Sequence, residues 1–128
     1  MSVADLRSLV AVAGAGLIAA ACGEAPSRLV NLPEGDPPRG KAVIQRVGCG
    51  ACHTIPGVRW PQGTVGPSLQ GFADRRLIAG RFPNEPGTLA LWVRNAPALI
   101  PETGMTPMPL TEEEARDVAA YLYTLDAG

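Results

Sequence analysis

Cys49, Cys52 and His53 form the run C-G-A-C-H, and no other short segment of this 128-residue chain restricts its fold and chemistry so tightly. Two thiols three residues apart project from a single turn, with an imidazole next to the second. His53 is the chain's 1 histidine, and the remaining cysteine of the 3, Cys22, lies far upstream. A structural zinc site takes about four ligands, so a zinc reading lacks a nearby fourth donor. A redox dithiol is expected to follow a strand in a βαβ setting. The residues before Cys49 read instead as a helix: Asp36 is placed to cap it, Pro37 and Pro38 suit its first turn, and Ala42, Val43 and Val47 recur at near-helical spacing before Gly48 ends it.

The chemistry that remains is covalent attachment of one haem. Each thiol at the end of such a helix adds to one haem vinyl group, and the adjacent histidine then lies beneath the iron as its proximal ligand. Composition agrees. Aromatic residues make up 5% of the chain, while 15 Gly and 13 Pro favour short helices and many turns. A domain with so little core of its own gains from a large apolar cofactor. Iron held by His53 needs a sixth ligand or an open face. Besides Met1, the methionines are Met105 and Met108, both in the proline-rich stretch from Pro97 to Pro109. A thioether favours ferrous iron and raises the reduction potential, and a proline-stiffened loop holds it in place.

The rest of the chain reads as helices joined by loops. Thr54 to Gly71 is loop, Asp74 to Ala79 is a short helix, and Pro83 to Gly87 breaks the chain. Thr88 to Asn95 is a helix with Leu89, Trp92 and Val93 on one face. Thr111 opens the last helix as a capping box with Glu114, flanked by Leu110 and Ala115 as a hydrophobic staple. Ala115, Val118, Ala119, Leu122 and Leu125 then form its apolar stripe. No segment shows a strand pattern.

From about Asp36 to Leu125 the chain resembles the class I cytochrome c family, and in particular the cytochrome domains of bacterial oxidase chains. The residues that carry the resemblance are C-G-A-C-H-T at 49–54, T-V-G-P-S-L at 64–69, L-A-L-W-V-R at 89–94, G-M-T-P-M-P-L at 104–110 and A-A-Y-L at 119–122. The resemblance implies an all-α fold of short helices wrapped around one covalently bound haem, with the first and last helices crossing beside it. It implies Met105 as the axial ligand opposite His53, sixteen residues before Tyr121, with Met108 as pocket lining or as the alternative ligand. It further implies that the Pro67 carbonyl accepts the second ring N–H of His53, a bond that orients a ligating imidazole. Leu69, Trp92 and Tyr121 are placed around the macrocycle, Gly48 and Tyr121 at the helix crossing. Arg75, Arg76 and Arg81 include either a propionate partner or only a solvated face.

Leu9 to Ala21 is an apolar run of about 13 residues, too short for the roughly 20 needed to span a bilayer. It suits the core of a signal peptide over residues 1–21. Ala19-Ala20-Ala21-Cys22 resembles the lipobox of bacterial lipoproteins, which implies Cys22 as the lipidation site; the alternatives are an uncleaved N-terminal anchor and a plain secretory leader cleaved nearby. Residues 22–35 form a flexible linker reaching about 20 Å, and residues 36–128 form the haem domain. Basic residues dominate from Arg39 to Arg94 and acids from Asn95 onward. With no Lys/Arg run interleaved with aromatics, nucleic acid is not an expected partner. The expected function is electron transfer in a bacterial respiratory chain by a lipid-anchored carrier on the periplasmic side of the inner membrane. Its partners are redox proteins, such as a membrane respiratory complex or terminal oxidase, and no small-molecule substrate is expected. Two other readings stay open: a monohaem subunit fixed in such a complex, and a peroxidase or gas sensor with a labile sixth ligand.

Overall fold

The first helix starts and stops where its residues dictate, in a computed structural model that describes residues 34–126. The leader, Cys22 and the linker up to residue 33 lie outside the described residues. Helix α1 spans Pro37–Val47; the Asp36 carboxylate accepts the Arg39 N–H at 2.8 Å, and both prolines sit in the first turn, where no N–H is needed. Gly48 ends it at φ 84°, a left-handed conformation that costs glycine little, and its N–H donates to the Ile44 carbonyl. The chain then tightens into a 3₁₀ turn over Cys49–Ala51 and runs as loop to Gly71.

The short helix expected over 74–79 is not there, and the expectation of no strand is corrected with it. A 3₁₀ turn covers Phe72–Asp74, and β1 (Leu77–Ile78) pairs antiparallel with β2 (Phe82–Pro83). Ala79 and Gly80 have φ of 51° and 70°, and the Arg81 N–H reaches the Ile78 carbonyl. Positive φ at both central residues gives the mirror-image turn whose twist suits a hairpin, with Arg81 the third residue between the paired Ile78 and Phe82. Two-residue strands are too short to leave an alternating pattern in the sequence.

Helix α2 spans Pro86–Leu99, beginning two residues before the expected start and continuing into the expected loop. It breaks at Asn95 (φ -152°, ψ 71°), two residues before Pro97, whose ring conflicts with the Val93 carbonyl and offers no N–H. Leu89 and Val93 are buried and Trp92 half-buried, as the expected face requires. Helix α3 (Glu112–Leu122) carries the full capping box: Glu114 N–H donates to Thr111 Oγ1 at 3.1 Å, and Thr111 N–H to Glu114 Oε2 at 2.9 Å. Leu110 and Ala115 are both buried beside that cap.

Helices α1 and α3 cross at Gly40, not at Gly48. A Cβ on Gly40 would stand 2.5 Å from the carbonyl carbon of Asp117, whereas nothing lies within 4 Å of one on Gly48. Gly48 serves instead as the cap that turns the chain toward Cys49. At the crossing Asp117 is 3% exposed, and it accepts from Arg39 Nε and Nη2 at 3.0 and 3.1 Å and from the Asp36 N–H at 2.7 Å. Burial pushes the Asp117 carboxyl up, but the Arg39 hydrogen bond, the Asp36 N–H and the charges of Arg39 and Arg116 together outweigh it and hold it below the ordinary value. A depressed folded-state pKa stabilises the fold above the ordinary carboxylate range of about 3.9 and loses that contribution as pH falls through the folded value. Asp117→Asn is therefore expected to cost about 2 kcal/mol at pH 7, with the gap to the parent narrowing as pH falls below the ordinary carboxylate range. Urea unfolding at neutral pH and below that range measures it; a gap that does not narrow contradicts the assignment.

The sequence's charge asymmetry has a structural reason. Arg39, Arg46 and Arg94 meet Glu113 with Asp117, Glu114, and Glu112 respectively, so the acids of α3 pair with bases from α1 and α2. Among the described residues, three helices and one small hairpin make an all-helical fold around a core that includes Ile44, Ile55, Phe72, Ile78, Leu89 and Val118. Among the described residues, no helix is long and apolar enough to cross a membrane.

Candidate haem-binding site

Gly48 delivers the chain directly into the C-G-A-C-H run. Cys49 is half-buried in the 3₁₀ turn and Cys52 is exposed at its end; both are free thiols. Burial pushes the Cys49 thiol above its ordinary range, and the neighbouring Cys52 adds to the shift. His53 follows, its N–H donating to the Cys49 carbonyl at 3.1 Å.

The imidazole is fixed from behind. His53 Nδ1 lies 2.7 Å from the Pro67 carbonyl oxygen, as the resemblance implied, so Nδ1–H donates and Nε2 is left with its lone pair for a metal. Gly66, immediately before Pro67, presses its backbone on the ring: a Cβ there would stand 2.8 Å from Nδ1 and 3.0 Å from Nε2. That loop is tied to the motif, with the Gly66 N–H donating to the Cys52 carbonyl at 2.8 Å and the Leu69 N–H to the Thr54 carbonyl at 2.9 Å. Arg75 holds the same segment further on, donating to the Ser68 carbonyl and lying over the Phe72 ring at 5.4 Å. Among the three arginines singled out in the sequence, Arg76 and Arg81 are exposed.

Tyr121, on the buried face of α3, donates its hydroxyl to the Pro56 carbonyl at 2.7 Å, and burial raises its pKa. The last helix is thus bound to the loop just after His53. Leu69, Trp92 and Met108 are half-buried and pack against the core. Met105 is half-buried, its N–H donating to Thr103 Oγ1 at 3.3 Å, while the Met108 N–H donates to the Arg94 carbonyl at 3.0 Å.

Sequence reasoning missed Gly66, Gly40 and Asp117. Gly66 lay inside the quoted segment T-V-G-P-S-L, where a glycine beside the expected histidine acceptor signalled a close approach. Asp117 sat among the apolar positions of α3, an acid out of place on a buried face.

The residues present fit a covalently held haem: two free thiols on one turn and an imidazole turned to offer Nε2, in a fold whose core is edged by half-buried apolar side chains. An all-helical fold with that site defines a class I c-type cytochrome. Residues 38–126 match the family model for cytochrome c, and the chain belongs to the cytochrome c family. It is 32% identical over 89 residues to a cytochrome c oxidase subunit 2 from Alkalihalophilus pseudofirmus, a match covering 68% of this chain and 25% of that protein. The chain thus matches only about a quarter of that relative's length. It is 30% identical over 94 residues to a cytochrome c-551 from Ectopseudomonas mendocina, covering 67% of this chain and 96% of the relative. Among solved structures, SoxXA from P. pantotrophus aligns with a TM-score of 0.55 at 25% identity, covering 72% of this chain and 82% of that one. Cytochrome c2 from Rhodobacter sphaeroides aligns at 0.59 and 20% identity, covering 73% and 98%, which supports the fold. Membership in the family brings covalently bound haem c and haem-based electron transfer.

Proposed function

We propose that this chain is a monohaem electron carrier with His53 and Met105 as axial ligands, lipid-anchored through Cys22 on the periplasmic side of the bacterial inner membrane. The observation that carries the reading is the His53–Pro67 contact of 2.7 Å beside two free thiols, since it fixes a ligating imidazole and leaves Nε2 for iron. When bound, haem c supplies a one-electron ferric/ferrous couple. The protein's own part is to orient His53, to keep apolar side chains around the macrocycle, and to hold a sulfur donor on the loop before α3. Met105 is favoured as that donor because Met108 packs against the core and its backbone is fixed to Arg94. With both axial positions filled by protein, no small-molecule substrate has a site on the iron, which favours a carrier over a peroxidase or gas sensor.

The proposed partners are a membrane respiratory complex or terminal oxidase. The relative named as an oxidase subunit supports this, and also supports a second reading in which the chain is a fixed subunit of such a complex. Cys22→Ser is expected to move the haem-containing domain from the membrane to the soluble periplasmic fraction, with one haem per chain and an unchanged one-electron titration. Retention in the membrane after mild detergent, with a stoichiometric complex, supports the fixed subunit; a titration that is not one-electron contradicts both readings.

A further inference from the structure

Trp60 and Val65 are 85% and 87% exposed, more than any other large apolar side chain among the described residues. Both belong to the loop 59–66, which is held along the Cys49–Cys52 turn. Gly63 N–H donates to the Gly50 carbonyl at 2.7 Å, and Thr54 Oγ1 donates to the Gly63 carbonyl at 3.1 Å. A Cβ on Gly63 would stand 2.8 Å from Cys52 Cα, and one on Gly50 would stand 3.4 Å from the Pro61 carbonyl carbon. Bonded at Gly63, and again at Gly66 to the Cys52 carbonyl, the loop's backbone holds Trp60 and Val65 in place while leaving both side chains uncovered. A loop whose backbone is already held pays less ordering cost when its exposed aromatic is buried, which suits an interface anchor.

Along the chain, the charge flanking the loop has one sign. No acidic side chain occurs between Asp36 and Asp74. Arg59 is exposed next to Trp60, and Lys41 lies over Gly57, with Nζ 3.4 Å from where a Cβ would be. Neither base enters an ion pair among the described residues, whereas Arg39, Arg46 and Arg94 do. Cys52, one of the two attachment points for haem, is exposed beside the same loop.

We propose that Trp60 and Val65, edged by Arg59, form the apolar centre of a docking face for a redox protein whose own centre lies under an apolar patch bordered by acidic side chains. This rests on the electron-carrier reading. With haem c bound, the exchange at this face would be of one electron, the haem losing what the partner's oxidised metal gains, with no bond or proton moved.

The test uses the ferrous holoprotein, oxidised in a stopped-flow instrument by a blue-copper protein whose apolar patch is edged with Asp and Glu, and separately by ferricyanide. Trp60→Ala is expected to slow the second-order reaction with the copper protein at least about tenfold, and Val65→Ser to slow it less. Arg59→Gln should flatten the decline of that rate with salt. Ferricyanide, which needs no docking face, should oxidise all of them alike. Equal copper-protein rates for Trp60→Ala and the parent overturn the proposal, as does a parent rate indifferent to salt. Sedimentation of the Cys22→Ser protein with phosphatidylglycerol vesicles, lost on Trp60→Ala, would assign the patch to lipid instead. A parent that ferricyanide cannot oxidise would overturn the carrier reading itself.

Discussion

Replacing Gly40 with alanine is expected to destabilise the fold by about 3 kcal/mol, lowering the melting temperature by on the order of 15 °C. Two effects oppose each other at this position. Alanine improves helix propensity by about 1 kcal/mol over glycine. Against that, its Cβ would overlap the Asp117 carbonyl of α3 and come within 2.5 Å of the carbonyl carbon, and the crowding atoms are helix backbone that cannot swing aside. Overpacking costs about 1–3 kcal/mol even where side chains can adjust, so the loss wins. Parting the helices would also strain the Arg39–Asp117 pair and the Asp36 N–H bond at the same crossing. Gly87, in the first turn of α2 with nothing within 4 Å of a Cβ, is the control: Gly87→Ala should be neutral or slightly stabilising. Thermal unfolding of both holoproteins decides the matter, and a Gly40→Ala protein as stable as the parent contradicts the crossing.

Gly66→Ala should instead strike His53, the proposed haem ligand. Its Cβ would occupy space now filled by the His53 ring, 2.8 Å from Nδ1, and the ring is the softer partner because the Gly66 backbone is bonded to Cys52. A ring pushed away leaves its 2.7 Å contact with the Pro67 carbonyl, losing the bond that sets its tautomer and basicity. The expected result is a weakened iron–histidine bond, read as loss of the low-spin ferric spectrum and a shifted reduction potential, with helical content retained. An unchanged spectrum and potential would show that the ring does not depend on this glycine.

Much of the fold was legible because its signals are local. Asp36, Gly48 and the Thr111–Glu114 box mark helix ends through side-chain and backbone geometry confined to a few residues, and all three act as read. The cysteines and histidine stand out in the sequence because the chemistry proposed for them demands adjacency. What stayed hidden depends on contacts between distant segments. Gly40 could be recognised as a crossing point only once Asp117 was known to lie against it, some 77 positions away in sequence. The hairpin at 77–83 escaped because each strand is two residues long and its turn places Ala79, an unusual residue for positive φ, where Asn or Gly is the usual signal. Likewise the surplus of bases before Asn95 is plain in the sequence, but that Arg39, Arg46 and Arg94 are committed to the acids of α3 is not.

The central claim is a haem held by His53 and Met105. The near-infrared charge-transfer band of methionine-ligated ferric haem tests it, recorded on the holoprotein, Met105→Leu and Met108→Leu. The band should be present in the parent, lost in Met105→Leu with rapid carbon monoxide binding gained in the ferrous form, and kept in Met108→Leu. A band that survives Met105→Leu, or is absent from the parent, would contradict the assignment.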